Sequence, residues 1–261
     1  MIPPGTGHPT DAATALTPVA HDRADVERLA GNAPSLRHLD GRSSVCRACP
    51  RLVAWREEVA EAKRASFADQ VYWGRPVTGW GPQRARIAVV GLAPAAHGGN
   101  RTGRIFTGDR SGDWLVAALH RAGLATKATS TSAYDGLELV DTRITLPVRC
   151  APPANRPTTQ ERATCSTWLT AEWRFLQPTV RAVVVLGGYG WAALWPVLRS
   201  VGEQVPAPVP KFAHGAEVAL PAGPTVLGCF HVSQQNTFTG RLTQPMLDDV
   251  LLRAKALSGM P

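Results

Sequence analysis

The sequence predicts an α/β layered fold with a mostly parallel sheet, on three observations. Four short apolar segments, at residues 87–90, about 138–148, 182–186 and 226–230, each end in a glycine-rich or polar turn, as buried strands do. Helical patterns fill the intervals between them, and strands alternating with helices build parallel sheets. The chain has 261 residues, 44% of them hydrophobic, with no internal repeat or dividing linker, which suits one sizeable domain. Ligands of such sheets sit at the carboxyl ends of the strands. The stretches after Val90, Val148 and Phe230 should therefore converge on one cleft.

Along the chain, residues 1–35 are expected to form a disordered tail. They carry Pro3, Pro4, Pro9, Pro18 and Pro34 among Ala, Thr, His and Asp, with little apolar periodicity. Residues 51–65 are strongly amphipathic. The strand at 87–90 leads into a long glycine-rich loop, and the helix after it stops at Gly123. Pro157 and Thr158, with Gln160 and Glu161 close behind, mark the start of a helix running to Leu176. Helices at 189–202 and 242–257 follow the last two strands. The Pro-rich stretch 205–211 is a surface connection.

The opening residues have neither the basic start nor the apolar middle of a secretory signal, and no apolar run approaches the length of a membrane span. A cytoplasmic location is expected. The net charge is +8 and Arg outnumbers Lys 24 to 4, a balance that favours anionic partners, nucleic acid first. Charge of this size is also common in proteins that bind no nucleic acid.

Five cysteines are present. Cys46 and Cys49 form a C-x2-C pair, the spacing that sets two thiolates on one metal centre. Cys150 follows a strand and Cys165 lies on the next helix, which completes an irregular four-thiolate set. Thiolates suit zinc or an iron–sulfur cluster, and the spacing does not choose between them. Cys229, within an apolar strand, is a small core residue.

The loop after the first strand reads GLAPAAHGGNRTGRIFTGD, from Gly91 to Asp109. It lacks the P-loop and dinucleotide-binding patterns, and G-x-S-x-G and H-E-x-x-H occur nowhere in the chain. Its glycines permit close backbone approach to a ligand, and Phe106 can stack on a flat one. A second polar stretch, CFHVSQQNTFTGRLT, places His231 at a strand end ahead of Ser233, Gln234, Gln235, Asn236, Phe238 and Arg241.

These two stretches, with VRCAPPANRPT and the four cysteines in this order, closely resemble family 5 (type b) uracil-DNA glycosylases over residues 45–257. The resemblance implies three layers, α/β/α, around a four-stranded parallel sheet, in a domain covering residues 36–261. It implies a 4Fe-4S cluster held by Cys46, Cys49, Cys150 and Cys165, structural rather than redox-active. It implies excision of uracil and other damaged bases, hypoxanthine and some etheno adducts among them, from DNA. Double-stranded DNA is the expected partner, with the nucleotide flipped out of the duplex, and the chain is expected to act as a monomer.

In that reading Phe106 stacks on the extruded base, and the backbone of Gly91, Leu92 and Ala93 meets its polar edge. Asp109 stabilises the cationic sugar and orients water, and His231 stabilises the charge on the leaving base. Asp109 could instead cap the following helix, but Ser111 is better placed to do so. Leu92 and Leu146 stand where family 4 enzymes carry a catalytic Glu and a uracil-binding Asn. A pocket without that amide should discriminate less among bases. Asn155 is a further candidate for a base or water contact, while His97 and Asn100 have no role assigned. Phe238 would wedge into the duplex and Arg241 meet phosphate. Two other readings remain: a metal-dependent phosphoesterase, for which hard ligands are too few, and an iron–sulfur DNA-binding or redox-sensing protein without excision activity.

Overall fold

The computed structural model describes residues 1–260. Among these residues five strands form one sheet: β1 (Ile87–Val90), β2 (Thr142–Thr145), β3 (Ala182–Leu186), β4 (Glu217–Ala219) and β5 (Thr225–Cys229), in the order β2-β1-β3-β5-β4. The four expected strands pair in parallel, with Ile87 opposite Thr142 on one side and Ala182 on the other. The expectation of four strands is corrected by β4, which pairs antiparallel with β5 at the edge. Glu217 and Ala219 are exposed and Val218 half-buried, and the three carry no apolar run to reveal them.

Among the described residues nine helices surround the sheet: α1 (Arg23–Gly31), α2 (Leu36–Ser44), α3 (Pro50–Ala62), α4 (Gly99–Thr102), α5 (Arg110–Arg121), α6 (Thr159–Leu176), α7 (Gly187–Ser200), α8 (Gln234–Phe238) and α9 (Gln244–Leu257). Strand side chains alternate between two faces, and each face has its own core. Ile87, Val89 and Val184 pack with Leu115 and Leu119 of α5 and Leu247 and Leu251 of α9. Ala88, Val90, Val183 and Val185 pack with α1, α2, α6 and α7. This is the three-layer α/β/α arrangement. Among the described residues no helix is long and apolar enough to cross a membrane.

Residues 1–35 are folded against the body, which corrects the expected tail. Val26, Leu29 and Ala30, at i, i+3 and i+4 of α1, join the second core. Ahead of α1 the chain is held by polar contacts that leave no hydrophobic pattern. The Ile2 amide donates to the Trp73 carbonyl, His8 Nε2 lies 3.1 Å from the Thr102 carbonyl, and Thr10 donates to the Gly103 carbonyl at 3.0 Å. Asp11 pairs with the buried Arg75.

The strand order places a switch point at β1. The chain leaves β1 for β2 on one side, then crosses through α6 to β3 on the other. Connections diverge there, opening a crevice at the carboxyl ends of β1 and β3.

Candidate active site and cysteine cavity

A cavity of about 580 Å³ occupies that crevice. Leu92 and Ala93 enter it from the end of β1, Phe106 and Asp109 from the same long loop, and His231 from beyond β5. Asn155 closes a further side from the loop after β2, in left-handed backbone with φ 55°. Three segments distant in sequence thus converge as expected. Pro94, Ala95, Ile105, Arg110 and Ser111 also face the cavity. No site role was expected for them; for Arg110, the only charged one, adjacency to Asp109 was the available signal.

Gly91 does not line the cavity but sets its depth. A Cβ there would lie 2.7 Å from Leu146 Cδ2 and 3.3 Å from the Phe106 ring. Only glycine lets the two side chains close on the end of β1. Phe106 is buried and held at φ 51°, an uncommon conformation for a bulky residue, kept by the packing around it. Its ring lies 6.5 Å, centroid to centroid, from that of His231.

Asp109 is the N-cap of α5, contrary to the assignment of that place to Ser111. Its Oδ1 accepts from the Gly112 amide at 2.9 Å, and Ser111 lies within the first helical turn. The helix begins at Arg110, before its apolar face does. The other oxygen, Oδ2, lies so close to Gly98 that a Cβ there would sit 1.9 Å from it. Capping therefore uses one oxygen and leaves the carboxylate on the cavity wall. Burial raises its pKa above the usual carboxylate range, as does Asp113, while the Gly112 and Ser111 amides and Arg101 oppose the rise.

Burial pushes the His231 pKa down to about 4. The ring is therefore neutral at pH 7, with one N–H to donate and no charge of its own. Linkage follows from the sign of the shift. The neutral form's contribution to stability is full above the ordinary histidine range and is lost as pH falls toward about 4. The single-turnover rate of base release is accordingly expected to show no histidine limb between about pH 5 and 8. A limb in that window that vanishes in His231→Asn would contradict a neutral donor.

The second polar stretch divides in use. Ser233, Gln234 and Gln235 line the cavity mouth. Asn236, expected to face DNA, turns inward instead, where its Nδ2 donates to the His231 carbonyl at 2.8 Å. It fixes the histidine's backbone. Phe238 ends α8 and is 65% exposed, with the Arg110 guanidinium 5.1 Å from its ring. The Arg241 guanidinium lies over Phe230, 4.7 Å from the ring centroid.

The four cysteines also converge. Cys46, Cys49, Cys150 and Cys165 line one small, mostly apolar cavity, and Cys229 stands apart in β5. None of the five is in a disulfide. Burial raises the pKa of Cys46 and Cys165, and burial with the neighbouring cysteines takes Cys49 up to about 12. Donors nonetheless point at sulfur: Arg56 Nη1 lies 3.0 Å from Cys150 Sγ and the Arg149 amide 3.2 Å from Cys165 Sγ. Among the described residues no three Cys, His, Asp or Glu side chains close on one point as the ligands of a single ion would. The thiols ring a cavity rather than a point.

A buried carboxylate and a neutral imidazole on the wall of a cavity large enough for a nucleobase, in a basic chain, suit cleavage of a base–sugar bond. The class of protein that fold and site define is a DNA glycosylase. The family model described as the uracil DNA glycosylase superfamily matches residues 78–255, and the chain belongs to that superfamily. It is 59% identical over 259 residues to the type-5 uracil-DNA glycosylase of Mycobacterium tuberculosis (strain CDC 1551 / Oshkosh), covering 99% of this chain and 95% of that protein. Identity to the type-5 uracil-DNA glycosylase of Thermus thermophilus is 50% over 217 residues, 83% of this chain and 95% of the relative. The Pyrobaculum aerophilum protein of the same name is 49% identical over 214 residues, covering 82% and 89%.

Proposed function

We propose that the protein starts base excision repair by flipping a damaged nucleotide from double-stranded DNA into the cavity and hydrolysing its glycosidic bond. The observation that carries this reading is the facing of Asp109 and His231 on one cavity whose wall includes Phe106. As the bond breaks, the sugar becomes cationic and the base anionic. Asp109 stabilises the cation and orients the attacking water. His231 donates its N–H to the departing base, and each preorganised group of this kind is worth roughly 3 kcal/mol. Phe106 stacks on the base, while the backbone of Leu92 and Ala93 and the Asn155 amide meet its edge.

Leu146 packs behind Gly91 and offers no amide to the base. That supports removal of hypoxanthine and some etheno adducts along with uracil, since no buried polar partner is left unpaired by a base other than uracil. The exposed Phe238 enters the gap left in the duplex, and Arg241, with Ser233, Gln234 and Gln235, contacts the strand. The protein acts as a monomer in the cytoplasm.

The cysteine cavity fits a 4Fe-4S cluster better than one zinc ion, because a cluster takes one thiolate per iron and spreads its ligands around a void. The N–H groups that Arg56 and Arg149 aim at Cys150 and Cys165 favour thiolates there, as hydrogen bonds to a ligand sulfur do. Bound by Cys46, Cys49, Cys150 and Cys165, such a cluster supplies a structural tie and no step of base release. It pins α3, the loop after β2 and α6 together, and the same loop carries Asn155 to the cavity.

The test uses labelled duplexes containing uracil, hypoxanthine or only normal bases, with alkali cutting any abasic site. Cutting at uracil and hypoxanthine but not in the undamaged duplex is expected. Cluster-bearing protein that binds these duplexes and cuts none would instead be an iron–sulfur DNA-binding protein.

A further inference from the structure

Arg101 of α4 is buried, and each of its three guanidinium nitrogens donates one hydrogen bond. Nε donates to the His97 carbonyl at 2.7 Å, Nη2 to the Gly108 carbonyl at 2.8 Å and Nη1 to Gln70 Oε1 at 2.6 Å. Its plane lies 3.9 Å from the Phe67 ring centroid. The two carbonyls are not arbitrary. His97 immediately precedes Gly98 and Gly108 immediately precedes Asp109, the two residues whose contact seats the carboxylate. One rigid fork thus spans both sides of that contact, a single bond-length of chain upstream of each. Gly108 is shaped to receive it: φ there is +70°, and a Cβ would lie 2.3 Å from Arg101 Nη2.

We propose that Arg101 is a positioning residue for base excision, its guanidinium fork holding Gly98 and Asp109 together so that the carboxylate meets the sugar in one place. This rests on the reading of Asp109 as the catalytic carboxylate. A lysine would keep the charge but not the fork, since an ammonium has no planar pair of donors to bridge two carbonyls. Charge and geometry are therefore separable. The groups bearing on Asp109 are Asp113, which disfavours its ionised form, and the Ser111 and Gly112 amides and Arg101, which favour it. Arg110 and His231 face the same cavity, and His231 is neutral at the working pH.

Single-turnover rates on a uracil duplex, duplex affinity and thermal midpoint would be measured for Arg101→Lys, Arg101→Gln and Asp109→Asn. Arg101→Lys is expected to lower the rate about tenfold or more, as a misplaced catalytic group does, with affinity unchanged and the acid limb of the pH profile where it is in the wild type. Arg101→Gln should lower the rate likewise and move that limb to higher pH, because a favourable charge has gone. A merely structural Arg101 would lower the thermal midpoint in both variants while leaving the rate per folded molecule and the limb untouched, and that result overturns the proposal. Should Asp109→Asn stay active, the assignment of the carboxylate fails. Should it be inactive while both Arg101 variants match the wild type, the positioning role alone fails.

Discussion

Asp109→Asn is expected to lower the single-turnover rate on a uracil duplex by about 10²–10³-fold, the usual effect of deleting one preorganised electrostatic group, with no loss of thermal stability. Asparagine is the informative substitution because Asp109 has two roles. As N-cap of α5 it accepts from the Gly112 amide, and Asn caps about as well as Asp, whereas Ala would cost roughly 1 kcal/mol. The charge itself is not stabilising. Burial raises the pKa, so the carboxyl's contribution to stability is full below the ordinary carboxylate range and is lost as pH rises through the raised value. At pH 7 the variant should melt at the wild-type temperature or above it. A variant that excises uracil within a few-fold of the wild-type rate would move the chemistry elsewhere on the cavity wall.

The second large effect belongs to the cysteines. Cys165→Ser is expected to lose iron and visible colour and to lower stability by about 3 kcal/mol, roughly 6–12 °C in melting temperature for a domain of this size. Metal binding is coupled to folding, and Cys165 ties the middle of α6 to segments from both earlier parts of the chain. Cys229→Ala is the control: this residue lies in β5, away from the cavity, so colour and iron content should persist. Wild-type iron content in Cys165→Ser would remove it from the ligand set.

What the sequence could disclose follows from how each part is held. The parallel strands are buried on both faces, and in β1 and β3 the signal is an unbroken apolar run such as Val183 to Leu186, whereas the core of β2 reads Thr-Arg-Ile-Thr. The start of α6 was equally legible: Thr158 and Glu161 form a capping box in which each side chain meets the other's amide. By contrast β4 is an edge strand of three residues, two exposed and one half-buried, and nothing in Glu217, Val218 and Ala219 repeats. Asp109, Phe106 and His231 were singled out by the resemblance, and the loop after β1 and the segment after β5 bring all three to one cavity. The inward turn of Asn236 was not legible, since its partner is a backbone carbonyl, and backbone carbonyls leave no trace in residue identity. The same reason hides Arg101, whose bonds to His97 and Gly108 are also to main chain.

The packed N-terminal segment has a consequence for the order in which the molecule assembles. His8 and Thr10 emerge from the ribosome first, yet their partners are the carbonyls of Thr102 and Gly103, more than 90 positions later. Synthesis proceeds at roughly 5–20 residues per second, so these residues wait several seconds with nothing to bind. Closing a loop of that length costs about as much as the pairing of Ile87 with Ala182 that joins β1 to β3. The first residues made thus brace the loop that carries Asp109, and a chain without them would leave that loop unsupported at Thr102 and Gly103.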